Sequence, residues 1–400
     1  MPSRTSEPQE PPAGISRRSF AGTLGAGGLG ALGVGAAASA AHAAPAFAAR
    51  RKATARRTAY LGTYGSGIIT CAYDTRTGAL TATGGFDAVT NPDFLALAPS
   101  GEVLYSLDER GTDGAVRAFS IGAGGELSPL GSARSTGGAG VTHLSVHPGG
   151  RHLLSANYTA GSVAVHSLEA DGGVGCRTAL VRHSGSGPDP DRQAGPHAHQ
   201  ILTGPDGAFV FAVDLGTDSV HTYALDGRRG ALRPVSEVKS VPGAGPRHMV
   251  FHPRAPYAYV ANELDSTITV CAYDAATGVL TRGESRPTLP DGTDPGTRNY
   301  PAEVAISADG RFVYLSNRGH DSVAWFAVED AGASLRLVGT VPCGGSWPRH
   351  ISLSPSGTLL FSANERANNV GVFTVDAKTG EPTPSGAPFA TSSLGCVLAT

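Results

Sequence analysis

Four residues far apart in the chain have the types a charged reaction centre needs: His199, Arg247, Glu263 and Arg318. An arginine fork holds a carboxylate, a phosphate or a developing oxyanion. Histidine exchanges a proton near neutral pH, and glutamate serves as a base or fixes a histidine in place. Such a set suits an anion-binding catalytic pocket, with Arg247 and Arg318 holding a carboxylate or phosphate and His199 and Glu263 handling protons. Ion pairing between neighbouring strands explains any one of these residues as well. The case for chemistry therefore rests on whether the fold gathers all four.

The elements that must gather them are copies of one repeat. Residues 69–81 and 269–281 share the phrase Cys-Ala-Tyr-Asp followed by Thr-Gly-x-Leu-Thr. The polar residue closing the second strand of each copy recurs as Thr63, Asp108, Asn157, Asp214, Asn262, Asn317 and Asn364. Seven short-stranded copies of roughly fifty residues predict an all-β, seven-bladed β-propeller, one four-stranded blade per copy. The apolar stretch 394–398 follows the last full copy. It is expected to be the innermost strand of the blade that the N-terminal strands complete, which pairs the chain ends and leaves no open edge.

The copies align themselves, so positions that disagree stand out. Six residues before the turn preceding each second strand, one column reads Asp93, Thr142, His199, Arg247, Ala302, Arg349, and the next reads Phe94, His143, Gln200, His248, Glu303, His350. The position after the second-strand anchor reads Tyr64, Glu109, Tyr158, Leu215, Glu263, Arg318, Glu365. Scaffold would keep such columns alike and apolar. In an antiparallel hairpin the start of one strand lies beside the end of the next, so these columns share one face of the propeller and converge on its axis. His199, Arg247, Glu263 and Arg318 are the expected catalytic set, and His248, Arg349 and the neighbouring His197 are expected substrate contacts. The irregular stretches 182–196 and 283–300 each precede an innermost strand and are either walls of a substrate mouth or surface insertions.

Composition narrows the classes. The chain has 400 residues, 55 Gly, 28 Pro and a net charge of −2, which offers no basic footprint for nucleic acid. The repeat region has no stretch apolar and long enough to span a bilayer. Five widely spaced cysteines, with no Cys-x-x-Cys, suggest neither a disulfide framework nor a thiolate metal site. No metal or other cofactor is expected. Ahead of the repeats, Arg17-Arg18 precede a mildly apolar Gly/Ala/Leu segment over 21–41, then small-x-small sites ending at Ala43 and Ala48. This order reads as a twin-arginine export signal over 1–48, with a flexible leader over 49–57 and the propeller over 58–400. The protein is then expected in the cell envelope or outside the cell, with no stable membrane association after cleavage.

The segments Gly195-Pro196-His197-Ala198-His199, Gly245-Pro246-Arg247-His248, Asn262-Glu263, Asn317-Arg318-Gly319-His320-Asp321-Ser322 and Trp347-Pro348-Arg349-His350 resemble the seven-bladed propeller lactonases. That family includes the propeller type of 6-phosphogluconolactonase and the fungal enzyme that lactonises 3-carboxymuconate. The resemblance spans about residues 58–400 and implies a metal-independent site in the central funnel, acting on a small anionic or sugar-like lactone. It assigns the family's catalytic histidine, glutamate and two arginines to His199, Glu263, Arg247 and Arg318, and implies that Asp214 helps to order the site and contact substrate. An exported chain does not meet a cytoplasmic sugar phosphate, so the resemblance implies a reaction class and leaves the lactone open. Hydrolysis of a sugar-type lactone leads; a muconate-type cycloisomerase and a non-catalytic binding propeller outside the membrane are the alternatives.

Overall fold

The computed structural model describes residues 56–109, 112–294 and 296–400, so the segments read as export signal and most of the leader lie outside the described residues. The described chain forms seven antiparallel sheets. Blade 1 pairs Leu394–Ala399 with Arg56–Thr63, followed by Ser66–Asp74 and Leu80–Thr90. Blades 2 to 6 follow in chain order, opening on Leu95–Leu97, Val141–Val146, Ala198–Thr203, Pro246–Phe251 and Tyr300–Ile306. Blade 7 opens on Pro348–Leu353 and ends with two short pieces, Pro382–Pro384 and Phe389–Ala390, that both pair with Asn369–Val375. The ring closes as the repeat requires: Ala59 pairs with Ala399 and Leu61 with Val397 across the chain ends. The first strand starts at Arg56 rather than 58. Arg56 and Arg57, read as the end of a flexible leader, continue the ladder opposite Asp74 and Tyr73 because the partner strand runs that far.

The apolar core lies between blades, not on the axis. Seven clusters of buried side chains each join two adjacent blades, from Tyr60, Leu104 and Phe119 between blades 1 and 2 to Leu61, Tyr73 and Phe361 between blades 7 and 1. This is why the middle strands, Val103–Leu107 and His152–Asn157 for instance, are buried along their whole length. Cys71 and Cys271 pack in this core as small apolar groups, and burial pushes their thiols up to about 11 and about 12.

One irregularity recurs where it matters. In blades 3 to 7 the innermost strand slips register by one residue at its start: between Val141 and His143, Ala198 and Gln200, Pro246 and His248, Pro301 and Val304, and Pro348 and His350. A one-residue bulge breaks the alternation of faces, so successive side chains can point the same way. The bulged positions are those of the first divergent column. In consequence Arg247 and His248, and Arg349 and His350, line one axial cavity, neighbour beside neighbour, where Asp93 and Phe94 of blade 2 join them. Strict alternation would have turned half of them away.

Candidate active site

A cavity of about 400 Å³ opens at the mouth of the channel. The divergent columns supply most of its lining: Tyr64, Asp93, Glu109, Thr142, Tyr158, His199, Glu263, Arg318 and Arg349. Glu263 is its electrostatic centre. Its Oε2 accepts from Arg318 Nη2 at 2.7 Å and lies 3.2 Å from Arg247 Nε, while Oε1 accepts from Arg192 Nη2 at 2.5 Å. The Arg247 contact is an ion pair by distance without hydrogen-bond alignment. Burial favours the neutral acid, but Arg318, Arg247 and Arg192 overcome it and hold the carboxyl down at about 2.

The arginines are held from behind. Arg247 is 2 % exposed and donates from Nη1 to the carbonyl of Ala302 at 2.7 Å. Burial, Arg318 and Arg349 push it down to about 9, which still leaves it a cation at neutral pH. Arg318 donates from Nε to the carbonyl of Tyr300 at 3.1 Å and sits 5.6 Å over the Trp347 ring. Arg349 lies over Tyr64, with Asp93 and Glu365 3.9 and 4.0 Å away. Burial lifts Asp93 to about 7 against the pull of Arg349.

His199 closes the inner wall. Burial, then Arg247, His248, Arg349 and Arg318, drive its pKa well below the usual histidine range, so the ring is neutral at physiological pH. Its Nδ1 meets His248 Nε2 at 3.1 Å, and His248 Nδ1 meets both oxygens of Glu303 at 3.0 Å. His248 therefore lies under the cavity floor rather than at the mouth.

Of the four residues expected to contact substrate, Arg349 alone lines the mouth. His197 stacks on Tyr158 at 4.5 Å and accepts no place in the cavity lining. Asp214 is fully buried: it accepts from the backbone N–H of His197 and Thr217 at 2.9 and 3.0 Å, and its other oxygen meets His183 Nδ1 at 2.5 Å. It orders the strand start that presents His199. The second-strand anchor thus works as a clamp, because its side chain reaches the start of the neighbouring strand. Among the described residues His183, Asp214 and His221 also have metal-ligating types within 4.8 Å of one another. Within this group His183 is engaged at both ring nitrogens, by Asp214 at Nδ1 and by the Tyr223 hydroxyl at Nε2.

Arg192 escaped the repeat because it comes from the 182–196 insertion. That loop is anchored by Gln193, which is fully buried and donates to the Leu215 carbonyl and to Asp218 at 2.8 and 2.7 Å. Asp189 caps the turn by accepting from the backbone N–H of Asp191 and Arg192. The insertion is therefore a wall of the mouth. Among the described residues, the 283–300 stretch supplies no lining residue of this cavity, but its end fixes Arg318 through the Tyr300 carbonyl. A hollow of about 430 Å³ between the outer strands of blades 5 and 6 carries no comparable cluster; its arginines form surface pairs with Glu284 and Glu329.

The profile of the family described as "Lactonase, 7-bladed beta-propeller" matches residues 58–399. The chain is 34% identical over 329 residues to a 6-phosphogluconolactonase of Bacillus subtilis, covering 81% of this chain and 93% of that protein. It is 31% identical over 325 residues to a 6-phosphogluconolactonase of Formosa agariphila, covering 79% and 90%. Among solved structures, a periplasmic gluconolactonase from Pseudomonas aeruginosa matches with a TM-score of 0.79 at 28% identity, over 86% of this chain and 98% of that one. With seven blades in a closed ring and a match along the whole propeller, the chain belongs to the seven-bladed β-propeller lactonase family.

Proposed function

We propose that the protein hydrolyses a sugar-type lactone in the cavity at the channel mouth. The observation that carries this reading is the meeting of a neutral, buried His199 with Arg318, Arg192 and Glu263 on one cavity wall. His199 is the better base of the two expected. Glu263 accepts from guanidinium groups with both oxygens, whereas His199 presents a neutral ring to the cavity. Water bound against His199 loses a proton as its oxygen attacks the ring carbonyl. Arg318 and Arg192, held rigid by Glu263, face the oxygen that becomes negative. Collapse breaks the ring C–O bond, and the alkoxide takes the proton back from His199.

The charge balance of the mouth supports an uncharged sugar lactone over a phosphorylated one. Arg192, Arg318 and Arg349 line it beside Asp93, Glu109 and Glu263, so no guanidinium stands without a nearby carboxylate. A pH-stat comparison of a six-carbon aldonolactone with and without its 6-phosphate tests both points. We expect turnover of the uncharged lactone with the higher kcat/KM, and a loss of at least about 10²-fold in kcat for His199→Asn, at an unchanged melting temperature. Failure to turn over any lactone, or full activity of His199→Asn, overturns the reading. We further propose that the protein works outside the cytoplasm. The Arg17-Arg18 pair and the small-x-small sites behind it support this. Replacing both arginines with lysine should leave the protein in the cytoplasmic fraction.

A further inference from the structure

Behind His199 lies a chain of acid–base groups that lactone hydrolysis by a lone histidine does not call for. His199 Nδ1 and His248 Nε2 are 3.1 Å apart, and the His248 Nδ1 stands 3.0 Å from each Glu303 oxygen. All three residues are at most 7 % exposed. They come from the innermost strands of blades 4, 5 and 6, at starts where the register slips. Glu303 is fixed in turn: its backbone N–H donates to Ser316 Oγ at 3.0 Å, and His350 Nε2 lies 3.7 Å from Oε2.

The hydrogen-bond logic runs one way. A carboxylate that straddles Nδ1 evenly with both oxygens accepts from it. His248 Nδ1 then carries the hydrogen, and its bare Nε2 accepts from His199 Nδ1–H. Once Nδ1 of His199 is a donor, its Nε2 holds a lone pair. The recorded hydrogen bond of the His199 ring runs through Nδ1, and the ring lines the substrate cavity. The relay thus selects the tautomer a base needs, which is the less common one for a free imidazole.

We propose that Glu303, acting through His248, positions His199 and takes up the proton that His199 removes from water; this rests on the lactonase reading of the cavity. The water proton passes to His199 Nε2, the Nδ1 proton of His199 passes to His248 Nε2, and the Nδ1 proton of His248 passes to Glu303. No proton is gained or lost, and the same steps in reverse deliver it to the ring oxygen that leaves. The surroundings explain the need. Arg247, Arg318 and Arg349 make an imidazolium at His199 costly, and His143 and His350 flank the relay without adding a counter-charge. A neutral acid at Glu303 removes a buried anion instead, and burial already raises its pKa, against the pull of His350, Arg247 and Arg349. His248 and Glu303 are therefore positioning residues, and neither needs to touch the lactone.

The test uses the full protein labelled with ¹⁵N-histidine, with signals assigned through His199→Asn and His248→Asn. We expect His199 as the Nδ1–H tautomer in the free protein, and its reversion to Nε2–H in His248→Asn. Glu303→Gln keeps an acceptor for His248 but cannot accept a proton. It should lower kcat about 10²-fold with KM nearly unchanged. Removing the anion makes a histidine cation less stable, so the acid limb of the kcat profile should move at least about one unit to lower pH. Glu303→Asp should recover part of kcat, which a merely structural defect would not predict. An Nε2–H tautomer of His199 in the native protein overturns the relay. So does a Glu303→Gln enzyme whose kcat and pH profile match the native ones while His199→Asn is inactive. If His199→Asn itself stays active, the lactonase site is wrong, and the tautomer measurement still decides the relay.

Discussion

At the scale of residues, the site is built around a carboxylate that three guanidiniums share. Glu263 is ionised in the folded protein far below the pH at which a free glutamate protonates. Its folded pKa is depressed, so its stabilisation is present above about pH 4.5 and is lost as pH falls toward 2, with a magnitude of order 3 kcal/mol. Glu263→Gln should be less stable at neutral pH, because it leaves Arg247, Arg318 and Arg192 without their shared anion. Its stability should also fall less steeply than the native protein's below pH 4.5. Thermal unfolding of both proteins from pH 7 to 2.5 checks this, and parallel curves would remove Glu263 from its central role. The charged residues were legible individually because they break a repeat that otherwise keeps its positions apolar. Which of them touch was not: Glu303 stood in a divergent column without a partner, and only the sheet positions bring His248 against it.

At the scale of elements, the bulge at each strand start aims the chemistry. It needs the adjoining turns to approach closely. The turn after Asp214 passes beside residues 195–197, and a Cβ on Gly216 would overlap the Gly195 carbonyl oxygen and crowd the His197 N–H and ring. Gly216→Ala should therefore cost about 1–3 kcal/mol of stability by overpacking. It should also lower kcat, since the displaced strand carries His199. Denaturant midpoints and turnover on one preparation measure both, and unchanged values of each would show that the approach is slack. The insertion supplying Arg192 acts differently. Its side chain is 36% exposed, so Arg192→Ala should leave the melting temperature nearly unchanged while lowering kcat/KM about five- to tenfold, read from steady-state kinetics. The loop was visible as an irregular stretch; its role was not, because nothing local says which blade's residue a loop arginine will meet.

At the scale of the whole molecule, the ring holds only if it closes. Leu394, Cys396 and Val397 are buried between blades 7 and 1 or blades 1 and 2, and Ala399 beside them is nearly so. Deleting residues 394–400 would expose the edge of Arg56–Thr63 and remove several buried apolar side chains at about 1.5–3 kcal/mol for each large one. The truncated protein should lose cooperative melting or associate through the open edge, and size-exclusion chromatography with thermal unfolding distinguishes it from a tolerant ring. The sequence alone determined the seven blades, their closure, and the three divergent columns at one face of the ring, because a repeat reports its own register and marks the positions that depart from it. It could not determine that successive residues such as Arg247 and His248 point the same way. That depends on a one-residue slip between paired strands, and a slip leaves no trace in composition or periodicity. Nor could it distinguish mouth from floor. Whether a histidine meets substrate or another histidine is decided by the tilt and packing of three separate blades around one axis, and only the closed ring fixes those together.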